Sequence, residues 1–206
     1  MSDTLILHED PGSANCYKVR LTAALAGVPI ERRAYDIMKG QTRTPEFLAK
    51  ISANGRIPVL QVGDRFISES NAICFYIADG SPLVPADRFE RADMLHWLFW
   101  EQYQHEPNIA TLRFWMTWVG IDRLTDVQRS QMPVKRKLGN DALQLMDDHL
   151  KGREWFVGGA TSLADICLFA YTHVADEADF DLALYPNVVE WMERIMTQPG
   201  HVELEA

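Results

Sequence analysis

Leu5-Ile6-Leu7-His8-Glu9-Asp10-Pro11-Gly12-Ser13-Ala14-Asn15-Cys16 changes character at its midpoint. Residues 5–8 are a short apolar run of strand type, and Pro11-Gly12-Ser13 interrupts it. Over 15–26, Val19, Leu21, Ala24 and Leu25 recur at helical spacing until Gly27 and Pro29 supply a stop. A strand therefore passes through a tight loop directly into a helix. Outward from this pair, residues 30–37 read as a second strand, and Thr44-Pro45-Glu46 opens a short helix with a capping hydroxyl and a first-turn proline. Residues 57–62 and 65–67 predict two more strands about Gly63-Asp64. A helix starting near Ser68 then runs through Ile73, Phe75, Tyr76 and Ile77 to Asp79-Gly80. The order is βαβαββα, with strands and helices interleaved in one sheet.

Gly80-Ser81-Pro82-Leu83-Val84-Pro85 carries two prolines and ends the strand signals. The expected division is a mixed domain over 1–80, a linker over 81–86 and an all-helical domain over 87–206. Residues 87–118 hold Trp97, Trp100, Trp115 and Trp118, aromatics that read as bundle interior, with Pro107 expected to bend the helix through them. Residues 124–150 predict another amphipathic helix, Ser162 and Asp165 a capping box, and residues 187–196 a last helix.

Composition excludes several classes of function. With 206 residues and a net charge of −9, the chain repels a phosphate backbone, so no nucleic-acid partner is expected. No apolar run approaches about 18 residues, and Met1-Ser2-Asp3-Thr4 lacks the basic flank of a targeting segment, so no membrane partner and a cytoplasmic address are expected. Cys16, Cys74 and Cys167 are too few and scattered for a disulfide framework or zinc cluster, and the six histidines form no HExxH pair. No metal is expected.

Chemistry is expected where the first strand feeds the first helix, because a helix N-terminus gathers N–H donors and a partial positive charge that favour anions and thiolates. Ser13 and Cys16 have the spacing of a CxxC redox motif with serine in the first place. A hydroxyl there cannot form a disulfide, but it can donate to a sulfur anion brought by a ligand. Ser13 or Asn15 acting simply as a helix cap is the alternative.

Several motifs taken together resemble the cytosolic glutathione transferases over nearly the whole chain. Ser13-Ala14-Asn15-Cys16-Tyr17-Lys18-Val19-Arg20 is similar to the serine-bearing first helix of zeta-like and many bacterial members. Thr44-Pro45-Glu46-Phe47-Leu48 is similar to the segment after the second strand, and Gly55-Arg56-Ile57-Pro58-Val59-Leu60 resembles the turn and strand whose proline is cis. Glu69-Ser70-Asn71-Ala72-Ile73 resembles the E-S-x-A-I motif that holds the γ-glutamyl group, and Ser162-Leu163-Ala164-Asp165 the later capping box. The sequence departs from the common pattern in having Ser52-Ala53 where many members have Asn-Pro, and in having no tyrosine at the catalytic position.

The resemblance implies an α+β, thioredoxin-like N-terminal domain followed by an all-α helical bundle, the glutathione transferase architecture. It implies glutathione as co-substrate with no tightly bound cofactor, a small apolar electrophile in a cleft between the domains, and a homodimer. Ser13 falls on the catalytic hydroxyl, and Asn15 matches an asparagine that some members use beside the glutathione sulfur. Arg43 and Arg56 would reach the glycine carboxylate, Ile57 and Pro58 would pair with the extended peptide, and Glu69 and Ser70 would meet the γ-glutamyl end. Tyr103, His105 and Arg113 are candidates for the electrophile wall. Cys16 suggests a cysteine-based alternative, which the alignment on Ser13 disfavours. The expected reaction is attack of glutathione thiolate on an electrophile. Its rivals are glutathione-dependent disulfide reduction or peroxidase chemistry at the same site, isomerisation, and a non-catalytic glutathione-binding relative.

Overall fold

The computed structural model describes residues 4–204, and the alternation of the first eighty residues folds there into a four-stranded mixed sheet. Its strands are β1 (Leu5–Glu9), β2 (Glu31–Ala34), β3 (Val59–Val62) and β4 (Arg65–Ser68), in the order β2-β1-β3-β4. β2 runs parallel to β1, with Leu7 opposite Arg32, while β3 and β4 are antiparallel, with Leu7 opposite Leu60 and Leu60 opposite Ile67. Period-two alternation puts the buried Leu7, Leu60 and Val62 on one face and Ile6, His8, Gln61 and Phe66 on the other. The second strand is shorter than the expected 30–37, because this edge pairs only with β1 and its four residues are exposed.

Helices α1 (Ala14–Ala26), α2 (Pro45–Lys50) and α3 (Ser70–Ala78) complete the sheet unit. Ser13 caps α1, and Gly27 ends it in the left-handed conformation at φ 68°. Thr44 caps α2 with Pro45 in its first turn. The chain divides into two compact units, one ending at Val84 and taking in the segment from Gln198, the other Pro85–Thr197. The last residues group with the sheet unit because Tyr17 Oη donates to the Val202 carbonyl at 2.7 Å and the Arg20 guanidinium to those of Leu204 and Pro11.

The second unit is helical. It contains α4 (Arg88–Trp100), α5 (Glu106–Arg113), α6 (Asp126–Leu150), α7 (Leu163–Thr172) and α8 (Pro186–Met196). Pro107, the residue expected to bend the helix, alters the hydrogen-bond ladder. Lacking an N–H, it stands in the first turn of α5, and the chain ahead of it, Glu101–His105, widens into a π-turn. The core gathers Trp97, Phe156 and Trp191 around Asp165, whose carboxylate accepts from Phe156 N, Ser162 N and Trp191 Nε1 at 3.0, 2.8 and 3.0 Å. Ser162 and Asp165 form the expected capping box at the start of α7. Among the described residues, no helix is long and apolar enough to cross a membrane.

Candidate functional site

β1 delivers the chain to a loop whose shape is set by Asp10. One carboxylate oxygen of Asp10 accepts from Gly12 N at 3.1 Å, the other from Ile37 N at 3.3 Å, and its carbonyl accepts from Ser13 N at 3.0 Å. Ser13 is thereby held in extended backbone (φ −77°, ψ 120°) at the α1 N-cap, with Oγ accepting from Cys16 N at 3.4 Å. The capping bond uses an oxygen lone pair, so it leaves the hydroxyl hydrogen to be donated, and the Cys16 sulfur is one acceptor within reach. Ser13 is half-buried, at the positive end of a thirteen-residue helix.

A second helix N-terminus adjoins the first. Ser70, the first residue of α3, is buried and donates through Oγ to Asn15 Oδ1 at 3.0 Å. From α1 the buried Lys18 reaches Ser70 Oγ at 3.5 Å and Asn71 Oδ1 at 3.2 Å. Asn15 and Ser70 thus join the starts of α1 and α3, and two helix dipoles with a buried ammonium point at one place. Just before it, Glu69 is held at φ 72°, ψ 114°. A non-glycine residue in that region carries strain, which structures retain mainly where function sets the geometry.

The remaining expected residues lie on the segment entering β3. The Ile57–Pro58 bond is cis, and Val59 opens the strand just beyond it. Asn54 organises the turn: its side-chain oxygen accepts from Ser52 Oγ at 2.7 Å and Arg56 N at 2.9 Å, and its carbonyl accepts from Arg43 Nη1 at 2.6 Å. Gly55 (φ 62°) is required there, since a Cβ would fall 2.7 Å from Arg43 Nη1 and 2.8 Å from the Thr42 carbonyl. The serine and asparagine around the turn close it where an Asn-Pro pair was absent. Arg43 and Arg56 are both exposed, Arg43 braced on the turn and Arg56 extended from it.

The cysteine-based alternative is corrected by burial, which pushes the Cys16 thiol up to about 12. Cys74 and Cys167 are also buried free thiols. Tyr17 is packing: burial pushes its phenol pKa up, and its hydroxyl serves Val202.

The three candidates for an electrophile wall are not one surface. Tyr103 is 80% exposed on the π-turn. His105, two residues on, is fully buried, with Nε2 3.0 Å from Thr172 Oγ1. Arg113 is buried, paired with Glu177 at 2.8 Å and stacked on Trp118 at 4.6 Å. His105 and Arg113 are therefore corrected to interior residues of the helical unit. Asp10, Lys18 and Asn54 went unrecognised in the sequence, since each acts through a partner that only the fold brings near.

The chain is similar to known proteins over most of its length. Residues 3–79 match the family model described as glutathione S-transferase, N-terminal domain, and residues 115–199 the corresponding C-terminal domain. The crystal structure of glutathione S-transferase from Pseudomonas fluorescens is similar at 42% identity and a TM-score of 0.90, over 97% of this chain and 98% of that one. Glutathione S-transferase 2 of Anopheles gambiae is 30% identical over 196 residues, 92% of this chain and 90% of its own. The disulfide-bond oxidoreductase YfcG of Escherichia coli (strain K12) is 28% identical over 194 residues, 90% of this chain and 87% of its own.

Proposed function

This chain belongs to the glutathione S-transferase family, and from that membership we propose that it holds glutathione on the sheet unit, with the sulfur at Ser13, and adds the thiolate to a small apolar electrophile. The observation that carries the reading is the Ser13 hydroxyl: its cap on Cys16 N uses an oxygen lone pair and not its hydrogen, at the meeting point of two helix N-termini. A free thiol with a pKa of about 8.5 is only about 3% ionised at pH 7, and a shift to about 6.5 makes it about 75% thiolate. That shift requires about 2.7 kcal/mol. A hydrogen bond to a charged sulfur supplies about 1.5–3 kcal/mol and a helix dipole about 0.3–1 kcal/mol, together a range that brackets the requirement.

In this reading Ser70 and Glu69 take the γ-glutamyl end, the backbone at Ile57–Pro58 pairs with the cysteinyl residue, and Arg43 and Arg56 face the glycine carboxylate. Asn15 aligns Ser70 and shares in stabilising the anion. Phe89, Phe99 and Tyr103, 79%, 72% and 80% exposed on α4 and the π-turn, support a homodimer that covers them. A cytoplasmic location accords with thiols kept reduced.

The similarity to a disulfide-bond oxidoreductase favours a second reaction at the same site. Glutathione thiolate would attack a disulfide and expel the other thiol, and a second glutathione would release the mixed disulfide. No protein cysteine is needed.

The test is a panel assay of purified protein with glutathione and, separately, an aryl halide, hydroxyethyl disulfide and a peroxide. Turnover of the aryl halide is expected. Turnover of the disulfide alone moves the assignment to the second reaction, and glutathione binding without any turnover overturns the enzymatic reading.

A further inference from the structure

The face of the sheet opposite Leu7 and Leu60 is covered by the six-residue α2, and a cavity of about 420 Å³ remains between them. Its lining includes His8, Arg33, Tyr35, Phe47, Gln61 and Phe66, and none of Ser13, Pro58, Glu69 or Ser70. The size is that of a small-ligand site, in which apolar walls carry a few convergent polar groups.

The polar floor has a fixed direction. Gln61 Nε2 donates to the Gly63 carbonyl at 3.0 Å, so Oε1 turns to His8 Nε2 at 3.1 Å and accepts its hydrogen. Burial pushes the His8 pKa down against the Gln61 bond, with Arg33 adding to the lowering, so the ring is neutral at pH 7 and Nδ1 is an acceptor. The Tyr35 hydroxyl, 2.9 Å away, must then donate to Nδ1, which leaves its oxygen able only to accept.

The walls are aromatic. Tyr35 and Phe47 meet edge to face at 5.0 Å between centroids, and Phe66 lies 6.1 Å from the His8 ring. Two cations line the cavity. Lys50 is paired with Glu46 at 2.9 Å, whereas the exposed Arg33 guanidinium makes no hydrogen bond or ion pair with any described residue. An anion is therefore favoured beside rings, with an acceptor on the floor.

We propose that this cavity binds a small aromatic carboxylate carrying a ring hydroxyl, with its carboxylate on Arg33, its ring among Tyr35, Phe47 and Phe66, and its hydroxyl donating to Tyr35 Oη. Arg33 suits the carboxylate because its planar fork of donors matches two oxygens at once. The site goes beyond the glutathione reading and does not depend on it.

The test is calorimetric titration of the full chain, saturated with glutathione, with 3- and 4-hydroxybenzoate, benzoate and phenol. The tighter hydroxybenzoate should bind saturably, and benzoate should bind about threefold to tenfold more weakly. Arg33→Gln, at an exposed position, should weaken both carboxylate types at least about tenfold and leave phenol unchanged. Tyr35→Phe should abolish the preference for the hydroxylated acid. No saturable binding, binding indifferent to Arg33→Gln, a preference that survives Tyr35→Phe, or displacement by added glutathione would each overturn the proposal.

Discussion

Replacing Ser70 with alanine removes one hydroxyl from the junction of α1 and α3, and its two effects separate cleanly. In the free protein the hydroxyl donates to Asn15 Oδ1 at 3.0 Å from a buried position. The same oxygen accepts from the buried Lys18 ammonium at 3.5 Å, so losing the hydroxyl costs about 1–2 kcal/mol, or about 2–8 °C in melting temperature for a chain of this length. In the complex the same group would meet the γ-glutamyl carboxylate, and a hydrogen bond to a charged partner contributes about 1.5–3 kcal/mol. The glutathione dissociation constant should therefore rise about 10- to 150-fold, well beyond what the stability change explains. Isothermal calorimetry with glutathione, paired with thermal melting, reads both quantities. A Ser70→Ala protein with a lowered melting temperature and wild-type affinity would make Ser70 only a helix joint and refute its place in the binding site.

Two further predictions test the fold and the exclusion of cysteine chemistry. Gly139→Ala in α6 gains about 1 kcal/mol of helix propensity, but its Cβ would lie 2.4 Å from Phe180 Cζ, and Phe180 is a buried ring under the Arg136 guanidinium. Overpacking at about 1–3 kcal/mol should win, so the melting temperature should fall; a rise would mean that the ring yields freely. Thiol labelling of the native protein near pH 8 should be slow at Cys16, Cys74 and Cys167, because all three are buried and the Cys16 thiol is held near 12, with all three reacting after unfolding. Rapid native labelling of Cys16 would reopen a protein-thiol mechanism.

The local part of this architecture was legible in the sequence because its determinants are adjacent in the chain. Pro11-Gly12-Ser13 ends β1 and caps α1, Thr44-Pro45 starts α2, and Ser162 with Asp165 starts α7, each by bonds spanning two or three residues. The motif around Pro58 and Ser70 was equally readable as a resemblance. What escaped is tertiary. Asp10 matters because it reaches Ile37, and Lys18 because α3 packs beside α1; neither partner is implied by local pattern. Glu69 at φ 72° is invisible, since a glutamate carries no sequence signal for that conformation. The misplacement of His105 and Arg113 has a specific cause. Tyr103 and His105 stand two residues apart, a spacing that puts side chains on opposite helix faces, so Tyr103 meets solvent while His105 and Arg113 turn into the core.

The central claim is that the Ser13 hydroxyl stabilises a glutathione thiolate, and the most direct measurement is ultraviolet titration of the bound thiol in the wild type, Ser13→Ala and Asn15→Ala. In the wild type the thiol should ionise about two units below its free value of about 8.5. Ser13→Ala should raise that pKa by at least about one unit, the loss of a bond worth about 1.5 kcal/mol or more, while glutathione affinity stays within a few fold and turnover at neutral pH falls in step. An unchanged titration in Ser13→Ala would contradict the account, and if Asn15→Ala raised the pKa instead, the stabilising role would pass to Asn15.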